Sequence, residues 1–91
     1  MICACCGRKR RMLESFENIK LNETQVSICG DCSSLVYHLR DASKGQDPQS
    51  FALLRDKMLQ RQRMGNSNPD FLKWYQAQLS NWSEALQHNK D

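Results

Sequence analysis

The sequence lacks any run approaching the ~20 consecutive apolar residues that a helix needs to span a bilayer, so it predicts no membrane-spanning segment. It also lacks the apolar core of a secretory signal, because the opening segment MICACCGRKRRM places its cysteines first and its charge after them. We therefore expect a cytoplasmic location. In that reducing environment thiols rarely form structural disulfides.

A strong charge of one sign is also missing. The chain has 13 Lys and Arg residues against 10 Asp and Glu residues, which gives a formal net charge of +3. This excess is too small to require a nucleic-acid partner. One local feature, the basic run from Arg8 to Arg11, raises that question separately.

Cysteine is absent after position 32, so the chemistry of the five cysteines belongs to the first third of the chain. Their odd number argues against a closed set of disulfides. We predict three parts: a cysteine module over residues 1–41, a linker over residues 42–48 and a helical hairpin over residues 49–88. The linker is predicted from its composition, since the segment ASKGQDP is small and polar and contains both glycine and proline.

Four of the cysteines form two CxxC pairs, Cys3 with Cys6 and Cys29 with Cys32. Residues 7–28 separate the pairs, slightly more than the roughly 15–20 residues typical of zinc sites built in this way. Two intervening residues let one tight turn present both thiolates to a tetrahedral Zn²⁺, which binds sulfur at about 2.3 Å. The sequence therefore predicts one structural zinc ion held by these four cysteines. Iron binding and a redox or disulfide role are the alternatives.

Four cysteine ligands close the coordination shell, whereas catalytic zinc keeps one position open for water, so we expect no enzymatic activity. Gly7 directly follows Cys6 and suits a turn whose amides point at the sulfur atoms, because glycine adopts positive φ at little cost. Cys5 is left over by this assignment. We expect it to be a small exposed side chain at the tip of the turn, dispensable for metal binding.

The segment between the cysteine pairs predicts a β-hairpin, with residues 13–21 paired to residues 25–28 across a turn at 22–24. After Cys29, three apolar side chains share one helical face: Leu35, Val36 and Leu39. We expect this helix to be capped by Gly30 or Asp31 and to carry Cys32 in its first turn. Together these elements predict a small α+β fold.

The last part of the chain carries two helix-start signatures, each an N-cap residue followed by proline, at Asp47-Pro48 and Asn68-Pro69. Gly65 is the expected stop of the first helix. The second helix has an apolar stripe at helical spacing, formed by Phe71, Tyr75, Leu79, Trp82 and Leu86. We interpret this stripe mainly as core, because helical apolar stripes usually face inward.

Residues 1–41 resemble the treble-clef zinc finger, in which a CxxCG knuckle, a β-hairpin and a helix bearing a second CxxC surround one zinc ion. Within that group the chain is similar to the four-cysteine module at the N-terminus of Clp-type unfoldases and to small bacterial four-cysteine domains of unknown function. The matching segments are CACCGRK and VSICGDCSSLVYHL, at positions Cys3, Cys6, Gly7, Ile28, Cys29, Asp31, Cys32 and Leu35. The resemblance implies structural zinc and, by analogy with the unfoldase module, a role in protein interaction and dimerisation.

The features favour recruitment of a protein partner, or homodimerisation, through the helical part of the chain. Trp74 lies off the main stripe of its helix, and tryptophan is favoured at interfaces, so Trp74 is the candidate contact residue. The alternative is a DNA-binding regulator that grips phosphates through the basic residues beside the knuckle, Arg8, Lys9, Arg10 and Arg11. The sequence predicts no membrane partner and no small-molecule substrate. It has no ATPase motif, and it has no histidine before residue 38 for a nuclease of the His-Asn-His type.

Overall fold

The computed structural model describes residues 2–21 and 23–88, with side chains through Leu86. Two strands precede three helices: β1 (Glu17–Lys20), β2 (Gln25–Ile28), α1 (Gly30–Lys44), α2 (Pro48–Arg63) and α3 (Pro69–His88). The predicted small α+β class is confirmed. Position 22 of the predicted turn lies outside the described residues. Among the helices of the described chain, none is both long and apolar enough to cross a membrane.

The two strands form an antiparallel hairpin in which Glu17 lies opposite Ile28. These two residues share the face that looks toward α1, because side chains alternate between the faces of a sheet. Ile28 is fully buried. The Glu17 carboxylate accepts hydrogen bonds from the side chains of Ser33 and Tyr37 on α1. The hairpin is therefore fastened to α1 at the start of β1.

β1 is shorter than the predicted span of 13–21, because the chain turns just before it. Leu13 adopts a φ of 65°, which is the left-handed region and does not continue an extended strand. The amide of Glu14 donates to the carbonyl of Arg11 at 3.1 Å and closes this turn. The alternation of apolar residues here was misleading, since Leu13 is 92% exposed.

α1 begins at Gly30, directly after Cys29, the first cysteine of the second pair. Its N-cap is Cys29, so the predicted capping by Gly30 or Asp31 is wrong, and Asp31 instead lies in the first turn. An acidic residue in the first turn is favourable because it faces the positive end of the helix dipole. Cys32 lies in the same turn, as predicted.

The end of α1 runs into the predicted linker. The helix continues to Lys44, so the connection to α2 is shorter than residues 42–48. The reason is burial: Ala42 and Ser43 face inward, and the Ser43 hydroxyl donates to the carbonyl of Trp82 at 2.9 Å. The small side chains of Ala42 and Ser43 therefore allow α1 to pack close to α3.

Both predicted caps of the later helices are confirmed. The Asp47 carboxylate accepts from the amide of Ser50 at 3.1 Å, and the Asn68 side chain accepts from the amides of Asp70 and Phe71 at 2.8 and 3.2 Å. Pro48 and Pro69 each supply the first helical residue, where no amide hydrogen bond is lost.

α2 and α3 pack against α1 rather than mainly against each other. The buried core includes the cysteines of both pairs and side chains from all three helices, the largest being Phe71, Ile28, Leu39 and Met58. The apolar stripe of α3 turns toward this core, with Phe71 and Tyr75 buried and the later members half-buried. The helices and the cysteine pairs therefore share one core.

Candidate metal centre

The four cysteines of the two CxxC pairs meet in the core. Their sulfur atoms all lie within 4.8 Å of one another, and all four residues are buried. Cys3 Sγ lies 3.8 Å from Cys32 Sγ, and Cys6 Sγ lies 3.9 Å from Cys29 Sγ. A tetrahedron with metal–sulfur bonds of about 2.3 Å has edges of about 3.8 Å. Two of the six edges therefore match a tetrahedral metal ion, and the remaining sulfur atoms are close enough to close around one with small shifts.

The first pair is shaped by a tight turn. The amide of Gly7 donates to the carbonyl of Cys3 at 2.9 Å, and Gly7 has a φ of 76°, a conformation that glycine adopts without strain. The amide of Cys6 donates to Cys3 Sγ at 3.4 Å. The turn thus points an amide at the sulfur atom that it presents, as the sequence predicted.

The second pair is placed by the junction of β2 and α1. Cys29 is the N-cap and Cys32 lies one turn into the helix, which brings both sulfur atoms to the same end of α1. The amide of Cys29 donates to Cys3 Sγ at 3.2 Å and joins the two pairs directly. Amide hydrogen bonds of this kind orient sulfur ligands and disperse their charge.

The clustered thiols of Cys3 and Cys6 have raised pKa values. The hydrogen bond to Cys32, together with burial, raises the pKa of Cys3 to about 12, and burial raises the pKa of Cys6. Several thiolates at such short separations repel one another. A divalent cation removes this repulsion, so metal binding would release protons and tighten as pH rises.

Arg61 of α2 lies beside the sulfur cluster. Its Nε atom donates to Cys32 Sγ at 3.2 Å, and a terminal nitrogen lies 3.9 Å from Cys29 Sγ and 4.0 Å from Cys6 Sγ. The same nitrogen lies 3.7 Å from the carboxylate of Asp31. The guanidinium therefore offsets the negative charge that four thiolates would bring. Local patterns gave no signal for this role, since Arg61 is distant in sequence from all the cysteines.

The connection between α2 and α3 lies in close contact with the turn formed by the first cysteine pair. The amide of Asn68 donates to the carbonyl of Ala4 at 2.8 Å. A Cβ atom on Gly65 would lie 2.4 Å from the carbonyl oxygen of Cys6, and one on Gly7 would lie 3.0 Å from the amide nitrogen of Asn66. Two backbones can approach this closely only where side chains are absent. The sequence identified Gly65 as a helix stop but missed this contact.

Cys5 is not at an exposed tip, so that expectation is wrong. It is fully buried, and its thiol lies 3.2 Å from the sulfur of Met58 on α2. The Ser67 hydroxyl donates to its carbonyl. α2 and the α2–α3 connection cover the side of the turn on which Cys5 lies. The spacing of the cysteines does not indicate this contact. Cys5 lies outside the group of four clustered sulfur atoms.

The basic run contacts Glu14 within the described part of the chain. Both terminal nitrogens of Arg8 pair with the carboxylate of Glu14, and these hydrogen bonds lower the pKa of Glu14 to about 2. The Arg10 Nε atom donates to the carbonyl of Glu14. Lys9, Arg10 and Arg11 are exposed, whereas Arg8 is already engaged.

Trp74 is half-buried on α3, with its ring centroid 5.8 Å from that of Phe71. It lines a groove of about 360 Å³ between β1, α1 and α3, here named the β1–α3 groove. Gln78 and Trp82 lie along the same side of α3 and also line it. Trp74 and Gln78 further border a recess of about 600 Å³ beside the hairpin turn.

No family model matches the chain, and searches among curated proteins and solved structures return no match. The four-cysteine cluster is established by the geometry of the chain itself.

Proposed function

We propose that the protein is a non-enzymatic zinc-binding module of the cytoplasm that recruits another protein. The observation that carries the proposal is the buried cluster of four sulfur atoms, all within 4.8 Å of one another, in which two S–S distances of 3.8 and 3.9 Å match zinc–thiolate geometry. The succession of knuckle, hairpin and helix supports the treble-clef assignment for residues 1–41. Zinc is favoured over iron because four thiolates in a closed, non-redox structural role are the commonest zinc arrangement.

Several features support a structural role for the ion. All four ligand candidates are buried, and Arg61 covers the cluster from α2. A shell of four sulfur ligands leaves no position for a substrate or an activated water. The ion would instead supply stability to a chain of 91 residues, whose length limits how much surface it can bury.

Recruitment of a protein is supported by Trp74. It is half-buried beside an open groove rather than enclosed in the core, and tryptophan at such positions commonly anchors partners. We expect affinity capture from nuclease-treated lysate to retain partner proteins, and Trp74→Ala to lose them. The matched control is Gln76→Ala, an exposed position on the same helix.

The metal half of the proposal has its own test. We expect elemental analysis of protein purified under reducing conditions to give about one zinc per chain. Protein loaded with iron instead, or with four stable thiols and no metal, would overturn it. Capture that disappears on nuclease treatment would favour the DNA alternative.

DNA binding is the second candidate, and the observation that favours it is the exposed cluster of Lys9, Arg10 and Arg11. Each phosphate contact would make binding weaker with rising salt. The test is a salt series of duplex binding, comparing the chain with a variant in which these three residues are alanine. Absence of binding at low salt would remove this candidate.

A further inference from the structure

The two edges of the β-hairpin differ in what lies beside them. The amide of Leu21 donates to the carbonyl of Thr24, which continues the ladder register by one step. Hydrogen-bonded and non-hydrogen-bonded pairs alternate in an antiparallel ladder. Counting from Leu21, the main-chain groups of residues 18 and 20 point away from β2, and those of residue 27 point away from β1.

The outer edge of β2 is occupied. The carbonyl of Ser27 accepts from the amide of Ala4 at 2.8 Å, so the cysteine turn covers this edge. The outer edge of β1 is different: among the described residues, no hydrogen bond outside the ladder involves the main chain of Asn18 or Lys20. An edge with free donors and acceptors is a template for another strand.

The space beside this edge is lined mainly by apolar surface. The β1–α3 groove lies along β1, and its floor includes Val36 of α1 and the two tryptophans Trp74 and Trp82 of α3. A strand added to β1 would point every second side chain into this space, because side chains alternate across a sheet. Two strands are a narrow sheet, and a third would cover α1 and α3 more fully.

The charges at the groove favour an acidic segment. Lys20 and Arg40 line it, although Arg40 also lies 3.5 Å from the exposed carboxylate of Asp41. The acidic residue of the lining, Glu17, accepts hydrogen bonds from Ser33 and Tyr37. Arg40 lies over the Tyr37 ring at 5.1 Å. Electrostatic complementarity of this kind selects partners and fixes their register.

We propose that β1 is a docking edge for an extended segment of a partner protein, which joins the sheet as a third strand and places alternate apolar side chains in the β1–α3 groove, with acidic residues beside Lys20 and Arg40. This proposal rests on the proposed function in protein recruitment. A second copy of this chain is a poorer occupant, because the inward side chains of its own β1, Glu17 and Ile19, already contact its own α1 and core.

The test begins with a displayed library of random linear peptides, selected on the zinc-loaded protein. We expect enriched sequences with apolar residues at alternate positions and acidic residues among them. A synthetic copy of an enriched peptide should protect the amides of residues 18 and 20 from hydrogen exchange. Failure to enrich any such pattern contradicts the proposal.

Lys20→Pro provides the decisive variant. It removes an amide that points outward, so the ladder to β2 is kept, and proline is tolerated on a strand edge. The matched control Lys20→Ala removes the same charge and keeps the amide. We expect Lys20→Pro to weaken peptide binding at least about tenfold relative to Lys20→Ala, because an acceptor of the peptide is left unpaired. Equal binding by the two variants overturns the proposal.

A side-chain variant covers the possibility that proline perturbs the fold. Gln78→Trp should fill the groove and weaken binding about tenfold by steric exclusion, whereas Gln76→Trp on the exposed face of α3 should not. Self-association that Lys20→Pro abolishes in sedimentation would identify a second copy as the occupant and overturn the proposal. If Trp74→Ala loses captured proteins while Lys20→Pro and Gln78→Trp retain them, recruitment stands and strand addition fails.

Discussion

The two sides of the β-hairpin are built in opposite ways. On the β2 side, the cysteine turn lies close to the four sulfur atoms and to the α2–α3 connection. The main chain of Ala4 is hydrogen-bonded to both Ser27 and Asn68. On the β1 side, the strand edge has no hydrogen-bond partner among the described residues and borders a groove lined by half-buried tryptophans. We therefore expect the two sides to have different roles, with the closed side stabilising the fold and the open side binding the proposed partner. Variants on each side should therefore fail in different ways.

The largest effect is expected from the metal ligands on the closed side. Cys6→Ser removes one of four sulfur atoms and should abolish stable zinc binding, because the remaining three leave the shell incomplete. Cys5→Ser should keep about one zinc per chain and lose stability by about 1–3 kcal/mol, since its hydroxyl would be buried against the Met58 sulfur. Metal content and thermal unfolding measure the two outcomes. Zinc retained in Cys6→Ser and lost in Cys5→Ser would reverse the ligand assignment.

The next effect concerns the close backbone contact. Gly65→Ala places a Cβ atom 2.4 Å from the carbonyl oxygen of Cys6, so a backbone must move, at a cost of about 1–3 kcal/mol. Gly30→Ala is the control, because nothing lies within 4 Å of its Cβ and the change stabilises by about 0.4–1 kcal/mol where the backbone permits it. Denaturant unfolding of the zinc-loaded proteins makes the comparison. Equal stability of the two variants would mean that the closed side is looser than described.

An effect of similar size is expected from Arg61. Arg61→Met keeps the aliphatic stem and removes the donor to Cys32 Sγ, so zinc affinity should fall by about 10-fold to 100-fold, as for other residues that bond to metal ligands. Arg63→Met, exposed at the end of α2, should leave affinity unchanged. Competition with a chelator of known affinity gives the values. Unchanged affinity in Arg61→Met would reduce this contact to simple packing.

The smallest effects compare a tyrosine from each side. The hydroxyl of Tyr75 is buried and has no hydrogen-bond partner among the described residues, so Tyr75→Phe should be neutral or stabilising by up to about 1 kcal/mol. The Tyr37 hydroxyl donates to Glu17, so Tyr37→Phe should be slightly destabilising. A urea midpoint for each variant tests the signs.

Tyr75 should also make the stability of the folded state depend on pH. Burial raises the pKa of Tyr75 from 10.0 to about 12, so the folded state favours the neutral phenol. Its contribution to stability is complete below pH 10 and is lost as pH rises toward about 12. Tyr75→Phe should lack this part of the alkaline decline. An identical decline in both proteins would contradict the assignment.

Local patterns predicted much of this arrangement. The cysteine spacing identified the four clustered sulfur atoms, and the cap-plus-proline signatures located the starts of α2 and α3 at Pro48 and Pro69. These features depend on neighbours within a few residues. The roles of Arg61 and Gly65 and the burial of Cys5 depend on contacts between distant parts of the chain, which spacing does not report. The turn at Leu13 was missed because apolar alternation alone indicates a strand there.

We expect one metal ion in the four-cysteine cluster to hold the closed side together. The most direct measurement is hydrogen exchange before and after complete removal of the metal by a chelator under reducing conditions. We expect protection to be lost first in residues 3–7 and 29–35, and then in residues 64–72 around the α2–α3 connection, because the cysteine turn no longer supports them. Full protection retained in all three segments without metal would contradict it.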